Sequence, residues 1–216
     1  VTPAEEELPL IISVDDHVME PRDLWQQQLP PSKRDRGPRT VQEKVRLKFE
    51  GGHYGFERND PDGHLCDVWL YDDLVTPTGF LHGPAGVPRE EQRNVAAVYE
   101  DLRPGTYSQR ERLEDMELNH VSAAINYPNI FPRFCGQGFL EREDKEFALE
   151  CLKIYNDWII DDWGGGAGRG KLIPLTLVPL WDPVLAAEEV RRCASKGSYA
   201  IAFSENPSKL GCATMY

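Results

Sequence analysis

The stretch "IISVDDHVMEPRDLW" at residues 11–25 joins an apolar run directly to two aspartates, a histidine and a Glu-Pro pair. The β-branched run at 9–14 begins with a proline and predicts a short buried strand. Asp15 and His17 stand two residues apart, so in an extended chain they project to the same side, while Asp16 projects to the other. A carboxylate and an imidazole are both ligands of divalent metals. By itself the pattern also fits an aspartate that caps a turn beside a surface histidine.

Apolar strands alternate with amphipathic helices over much of the remaining chain. The patterns predict strands at 121–126, 171–178 and 199–203, and helices at 108–119, 142–163 and 182–196. Such alternation is typical of a parallel sheet with helices packed outside it. Right-handed crossovers lead these units either to an open doubly wound sheet or to a barrel. If 9–14 is the first strand of a (β/α)8 barrel, Asp15 and His17 lie at its mouth.

Local signals define the ends of the predicted helices. Ser108 and Glu111 form a capping box before the first helix. Asp182 is an N-cap followed by Pro183 at the first helical position, and Gly197 is the left-handed stop of that helix. The middle helix carries a single apolar stripe made of Phe147, Cys151, Ile154, Tyr155, Trp158 and Ile159.

Residues 26–105 have a different composition, rich in Pro, Gly, Asp and Arg. We predict a loop-rich insertion between the first strand and the first helix, with little regular structure and one helix around residues 88–100. Insertion loops of barrels can cover the mouth, so His53 or His64 could line the site, although loop histidines are usually exposed. We expect residues 1–216 to form a single partial barrel domain that carries this insertion.

The composition excludes some classes of function. A net charge of −12 disfavours binding to nucleic acid or to an anionic membrane surface. The five cysteines form no CxxC pair, which predicts reduced thiols in a cytoplasmic protein rather than disulfides or a thiolate zinc site. The longest nearly apolar stretch, "LIPLTLVPLW", is about half as long as a membrane span and contains two prolines.

Four further segments extend the pattern that begins at residue 11: "VSAAINYPN" (121–129), "YNDWIIDDW" (155–163), "GKLIPLTLVPLWDPVLAAEEVRR" (170–192) and "GSYAIAFSENP" (197–207). Together with 11–25 they resemble, in the same order, the first half of the amidohydrolase-related family, which contains aminocarboxymuconate-semialdehyde decarboxylase-like enzymes. The resemblance implies a metal-dependent hydrolase or non-oxidative decarboxylase on a TIM-type barrel, acting on a small carboxylated or aromatic or cyclic substrate. It also implies that Asp15 and His17 are ligands of a divalent metal, zinc as the first choice and manganese as the alternative.

The family's other metal ligands are a histidine after the fifth strand and an aspartate after the eighth. The roughly 100 residues from Asn119 to Tyr216 have room for about three βα units. We therefore expect an incomplete barrel of about four parallel strands, the amino-terminal half of the family's domain, with weak metal binding and little activity by itself. The alternative is a non-catalytic chain that forms a homo-oligomer or pairs with a partner through its open sheet edges.

Polar residues at other strand ends are candidates for substrate binding. Glu20 follows the metal pair, and Asn126 and Tyr127 end the second predicted strand. A third group, Ser204, Glu205 and Asn206, ends the fourth predicted strand. On a barrel these positions face the mouth. Turn formation and capping are the alternative for all of them, and Glu20 could instead support the metal ligands from behind.

Overall fold

The chain folds into a four-stranded parallel sheet, a four-stranded antiparallel sheet and five α-helices in a computed structural model that describes residues 9–204 and 206–211. The strands are β1 Ile11–Val18, β2 Arg39–Glu50, β3 His53–Arg58, β4 His64–Tyr71, β5 Leu74–Pro77, β6 Val121–Pro128, β7 Leu172–Leu177 and β8 Ala200–Ala202. The helices are α1 Leu24–Gln28, α2 Gln109–Leu118, α3 Gln137–Leu140, α4 Lys145–Trp158 and α5 Pro183–Ser195.

The parallel sheet has the strand order β1-β6-β7-β8, so each of its strands pairs with the one that follows it in this series along the chain. The crossovers between these strands contain α2, α4 and α5. Four parallel strands with helices outside confirm the predicted fold class, an incomplete (β/α)8 barrel with a long insertion after the first strand. Because the strands are parallel, their carboxyl ends all lie at the same end of the sheet. Barrel enzymes hold their active sites at this end of the strands.

The predicted helices agree with the structure in their central residues. On α4, the predicted stripe is buried except for Ile154, which is partly buried. A π-helical turn at Ile159–Trp163 follows α4 and completes the predicted range. The Asp182 carboxylate caps α5 by accepting hydrogen bonds from the amides of residues 184 and 185 at 2.8 and 3.1 Å, and Gly197 has a positive φ of 97°. In the part of the chain that the structure describes, no helix has both the length and the apolarity to cross a bilayer.

The capping box before α2 forms only in part. The Ser108 hydroxyl donates to the Glu111 carboxylate, but it accepts no hydrogen bond from an amide of the first turn. A serine hydroxyl has one proton and turns toward the strongest nearby acceptor, which here is a carboxylate.

The predicted loop-rich character of residues 26–105 is wrong, because β2–β5 form an antiparallel sheet in the order β3-β2-β4-β5. Apolar and charged residues alternate along β2, and Gly51 and Gly52 have φ values of +59° and +82°, which a tight hairpin turn requires. The high charge of this segment concealed its period-two alternation. The signal was present in the sequence, although composition alone pointed to loops.

The helix predicted around 88–100 is also wrong. That range contains turns and ends in a 3-10 turn at Tyr99–Asp101. The Ala97 amide donates to the Thr78 carbonyl at 2.9 Å, and the Ala97 carbonyl accepts from the Asp67 amide at 3.1 Å. Hydrogen bonds to the neighbouring sheet therefore take the backbone groups that a helix would pair internally.

The antiparallel sheet packs against the parallel half through an aromatic cluster. Trp25 lies at its centre, fully buried, with its Nε1 donating to the Cys151 carbonyl on α4 at 2.8 Å. Its ring meets Trp69 of β4 edge-on at 5.6 Å and Phe131 at 5.0 Å between centroids. Arg22, just after β1, adds a polar link by donating from Nε to the buried Asp67 carboxylate at 2.9 Å.

The prediction of a buried first strand is wrong for its apolar residues. Ile12 and Val14 are 64% and 63% exposed, and Ile11 is half-exposed. Within the described residues, β1 pairs only with β6 and stands at the edge of the sheet. A run of β-branched residues favours a strand whose side chains are buried. Whether other elements bury those side chains depends on residues distant in sequence.

Candidate functional site

Asp15 and His17 lie side by side near the carboxyl end of β1. The Asp15 Oδ1 and His17 Nε2 atoms are 3.7 Å apart, and both side chains are solvent-exposed. The pairing with β6 is irregular here, because three steps from Ser13 to Asp16 oppose two on β6. This β-bulge contains Asp15 itself, and bulges re-aim side chains in many functional sites.

His17 is oriented by the end of β6. Its Nδ1 lies 3.4 Å from the Pro128 carbonyl oxygen, and its ring centroid is 5.8 Å from that of Tyr127. A carbonyl oxygen can only accept, so this contact favours the tautomer with the proton on Nδ1. Nε2, which lies 3.7 Å from Asp15 Oδ1, then carries a lone pair that can bind an electrophile.

Asp16 projects to the opposite face, where it meets Arg112 of α2. The Ser13 hydroxyl donates to the Asp16 carboxylate at 2.8 Å. The Arg112 guanidinium lies 3.5 Å from the same carboxylate. Arg112 also donates to the His17 carbonyl at 2.7 Å and to the Gly105 carbonyl at 2.5 Å. Burial lowers the pKa of Arg112, an effect that the nearby carboxylates oppose. Arg112 thus fixes the backbone that carries the Asp15–His17 pair.

A cavity of about 550 Å³ adjoins the pair. Its volume lies within the range of about 300–1,000 Å³ that small-molecule sites have. Both faces of β1, helix α2, Arg103 and the segment 82–86 of the insertion line it. His53 and His64 are exposed on the antiparallel sheet, so the insertion contributes His82 to this cavity instead.

His82 has the opposite tautomer from His17. Its Nδ1 accepts a hydrogen bond from the Gly79 amide at 2.9 Å, so in the neutral ring Nε2 carries the proton. Burial lowers the pKa of His82, which favours this neutral form. A protonated Nε2 is a hydrogen-bond donor rather than a metal ligand. The sequence did not single out His82 for this role, because only the fold brings the segment 82–86 to the cavity beside β1.

The donors at Asp15 and His17 fit a divalent metal in chemical type but not in number. Carboxylate oxygen and imidazole nitrogen suit zinc and manganese. Catalytic zinc sites use about three protein ligands. Across residues 9–204 and 206–211, no three His, Cys, Asp or Glu side chains are grouped closely enough to hold a metal.

Glu20 is fully buried behind the site. Its carboxylate accepts from the Asn129 amide at 3.1 Å and lies 3.5 Å from the Ile130 amide, while its own carbonyl accepts from the Tyr99 hydroxyl at 2.7 Å. Burial raises the pKa of Glu20 to about 7, and the backbone amides oppose that rise. The carboxylate therefore joins the end of β1 to the loop after β6 and has no surface at the cavity.

The remaining predicted substrate-binding residues are dispersed. Tyr127 is beside His17, whereas Asn126 is buried on the helix-facing side and accepts from Trp163 Nε1 at 3.0 Å. Ser204 is buried and its hydroxyl accepts from the Asn206 amide at 3.1 Å, as in a turn after β8. Glu205 lies outside the described residues. Their roles in substrate binding stay predictions.

Comparison with solved structures supports the fold class. The chain is similar to the crystal structure of an amidohydrolase from Mycobacterium avium subsp. paratuberculosis K-10, with a TM-score of 0.56 and 19% sequence identity. The match covers 90% of this chain and 49% of the mycobacterial chain, so this chain spans about half of that protein's length. The chain therefore has an amidohydrolase-like fold. No protein-family model and no curated protein matches the sequence.

Proposed function

We propose that this chain carries the first-strand part of the active site of a metal-dependent hydrolase or non-oxidative decarboxylase of the amidohydrolase superfamily. The observation that carries the proposal is the Asp15–His17 pair, whose metal-capable atoms are 3.7 Å apart at the edge of a cavity. Zinc is the first choice for the metal and manganese the alternative. A small carboxylated, aromatic or cyclic substrate fits the volume of the cavity.

In this proposal the chain's own residues have separate tasks. Asp15 and His17 hold the metal, which when bound supplies a Lewis acid for a carbonyl or carboxylate group. The Pro128 carbonyl keeps the His17 proton on Nδ1, as supporting groups do for metal-binding histidines. His82 offers its Nε2 proton to a substrate oxygen, and Arg112 holds the strand in place.

Titration calorimetry with Zn²⁺ and with Mn²⁺ tests the proposal. We expect the chain to bind Zn²⁺ or Mn²⁺ weakly, and we expect His17→Ala and Asp15→Asn each to weaken that binding by tenfold or more. The matched control is His53→Ala, which removes an exposed histidine from the antiparallel sheet. The proposal is rejected if the chain binds neither ion, or if the control variant loses as much affinity as His17→Ala.

We also propose a reducing, cytoplasmic environment. Cys66, Cys151 and Cys193 are buried free thiols, and burial raises the pKa of Cys66 to about 11 and those of the other two to about 12. Buried thiols with raised pKa values are poorly reactive. Such thiols are typical of proteins in compartments where disulfides do not form.

A further inference from the structure

A second cavity lies on the antiparallel sheet of the insertion. It measures about 440 Å³, within the range of about 300–1,000 Å³ that small-molecule sites have. The β2–β3 hairpin forms one wall with Leu47 and Phe56, which stand opposite each other on the two strands. Strand β5 adds Val75 and Pro77, and the loop after β5 adds Leu81. Three separate parts of the insertion thus enclose one space.

The cavity lies on the face of the antiparallel sheet that points away from the parallel half. Side chains alternate between the two faces along a strand. On β4, Trp69 points toward the parallel half, where its ring meets Trp25, so Val68 points to the outer face. Val68 pairs with Pro77, and Leu47 packs against the same outer hydrophobic cluster as Val68. The walls of the cavity therefore belong to the insertion and do not depend on the strands of the parallel sheet.

A loop that leaves the sheet and returns to it closes one side of this cavity. Gly79 and Ala96 form an isolated antiparallel bridge, so the segment 79–96 is held together at its base. Compact surface loops whose ends are close together often carry function. This loop contributes Leu81 and Asn94 to the lining. The cavity is therefore concave, with walls on more than one side, whereas the exposed face of a sheet is flat.

The described residues that line this second cavity include no Asp, Glu, Lys or Arg. The cavity beside β1, in contrast, is lined by five charged side chains: Asp15, Asp16, Arg103, Arg112 and Asp115. His82 lines both cavities, and burial lowers the pKa of its ring, which favours the neutral form. Charged residues make up 28% of the chain, so an uncharged lining separates this cavity from most of the surface. An ion that left water here would meet no opposite charge.

We propose that this cavity binds a small uncharged aromatic molecule. The rings of Tyr54 and Phe56 line it, and aromatic rings pack favourably against other rings in offset or edge-on arrangements. The volume accommodates roughly two or three rings. The neutral amide of Asn94 can bind one polar group of the molecule, as isolated polar groups do in mostly apolar sites. Neither Asp15 nor His17 lines this cavity, so the proposal does not rest on the enzymatic one.

Fluorescence titration of the metal-free 216-residue chain with two matched dyes tests the ligand class. N-phenyl-1-naphthylamine is uncharged and emits more strongly in apolar surroundings, and anilinonaphthalene sulfonate has the same rings with an added negative charge. We expect saturable binding of about one N-phenyl-1-naphthylamine per chain. We expect the sulfonate to bind this site about tenfold more weakly, because its charge has no partner in the lining. Equal or tighter binding of the sulfonate overturns the proposal, and so does the absence of saturable binding.

Two matched variants locate the bound dye. Leu81→Asp places a carboxylate in the lining and is expected to weaken binding of N-phenyl-1-naphthylamine by about tenfold. Leu65→Asp is the control, because Leu65 lies on the opposite face of the same sheet and is 50% exposed, close to the 45% of Leu81. A second pair, Tyr54→Ala and Tyr199→Ala, removes an exposed ring from the lining or from outside it, and only the first is expected to weaken binding. Equal losses within either pair overturn the assignment of the site.

Sedimentation of the same proteins distinguishes a small ligand from a second copy of the chain as the occupant. We expect Leu81→Asp to leave the association state of the chain unchanged. A dimer of the original chain that dissociates in Leu81→Asp, but not in Leu65→Asp, would mean that a second copy covers the cavity. That result overturns the proposal of a small-molecule site.

Discussion

Glu20 should make the stability of this protein fall between pH 4.5 and pH 7. Burial raises its pKa from 4.5 to about 7 in the folded chain. Below pH 4.5 the carboxyl is protonated in both states, and stability is unaffected by its ionisation. Between these values the unfolded chain loses the proton while the folded chain keeps it, so stability decreases as pH rises through the folded pKa. A shift of this size corresponds to a loss of about 3 kcal/mol above pH 7.

Glu20→Gln removes the titration but keeps an oxygen that can accept from the Asn129 amide. The assay is urea unfolding of both proteins at several pH values from 4.5 to 8. We expect the free energy of unfolding of the variant, relative to the original chain, to increase by about 3 kcal/mol across this range. Glu117→Gln is the control, because that carboxylate is exposed on α2. Parallel pH profiles for Glu20→Gln and the original chain would refute the reasoning.

Two further predictions concern stability at fixed pH. Asn156→Ala should lower the free energy of unfolding by about 2–4 kcal/mol in urea titrations, because the buried amide bridges the backbone of β7 and Glu189 with bonds of 2.8–2.9 Å. An unchanged midpoint would contradict this bridge. Gly63→Ala should lower the stability by about 1–3 kcal/mol, since a Cβ there would lie 2.6 Å from the backbone of Val45. The matched variant Gly55→Ala has open space and should melt close to the original temperature; equal melting of both variants would argue against the crowding.

The series of strands and helices in the parallel half followed from patterns that are local in sequence. The stripe on α4 and the Asp182 cap of α5 are properties of a few adjacent turns, so their prediction needed no knowledge of distant residues. The antiparallel sheet of the insertion was missed although its alternation was visible, since charged residues outnumber the apolar ones along β2. The range 88–100 could not be predicted in this way, because its backbone bonds to strands far away in the chain.

Part of the candidate site could be predicted from the sequence, because the pattern that indicates it is local. The period of two places Asp15 and His17 on one side of any extended strand. Arg112 and the buried carboxylate of Glu20 gain their roles from contacts with residues distant in sequence, namely the His17 carbonyl and the loop after β6.

In the parallel half, the sequence by itself determined where the chain extends or coils and which polar side chains stand at the end of the first strand, because steric preference and side-chain period act within a few residues. The tertiary structure alone decided which of those groups are covered. It buried Glu20 and raised its pKa, and it left the isoleucines of β1 exposed. Solvation depends on every element that packs around a group, and residues far apart in the chain supply most of those elements.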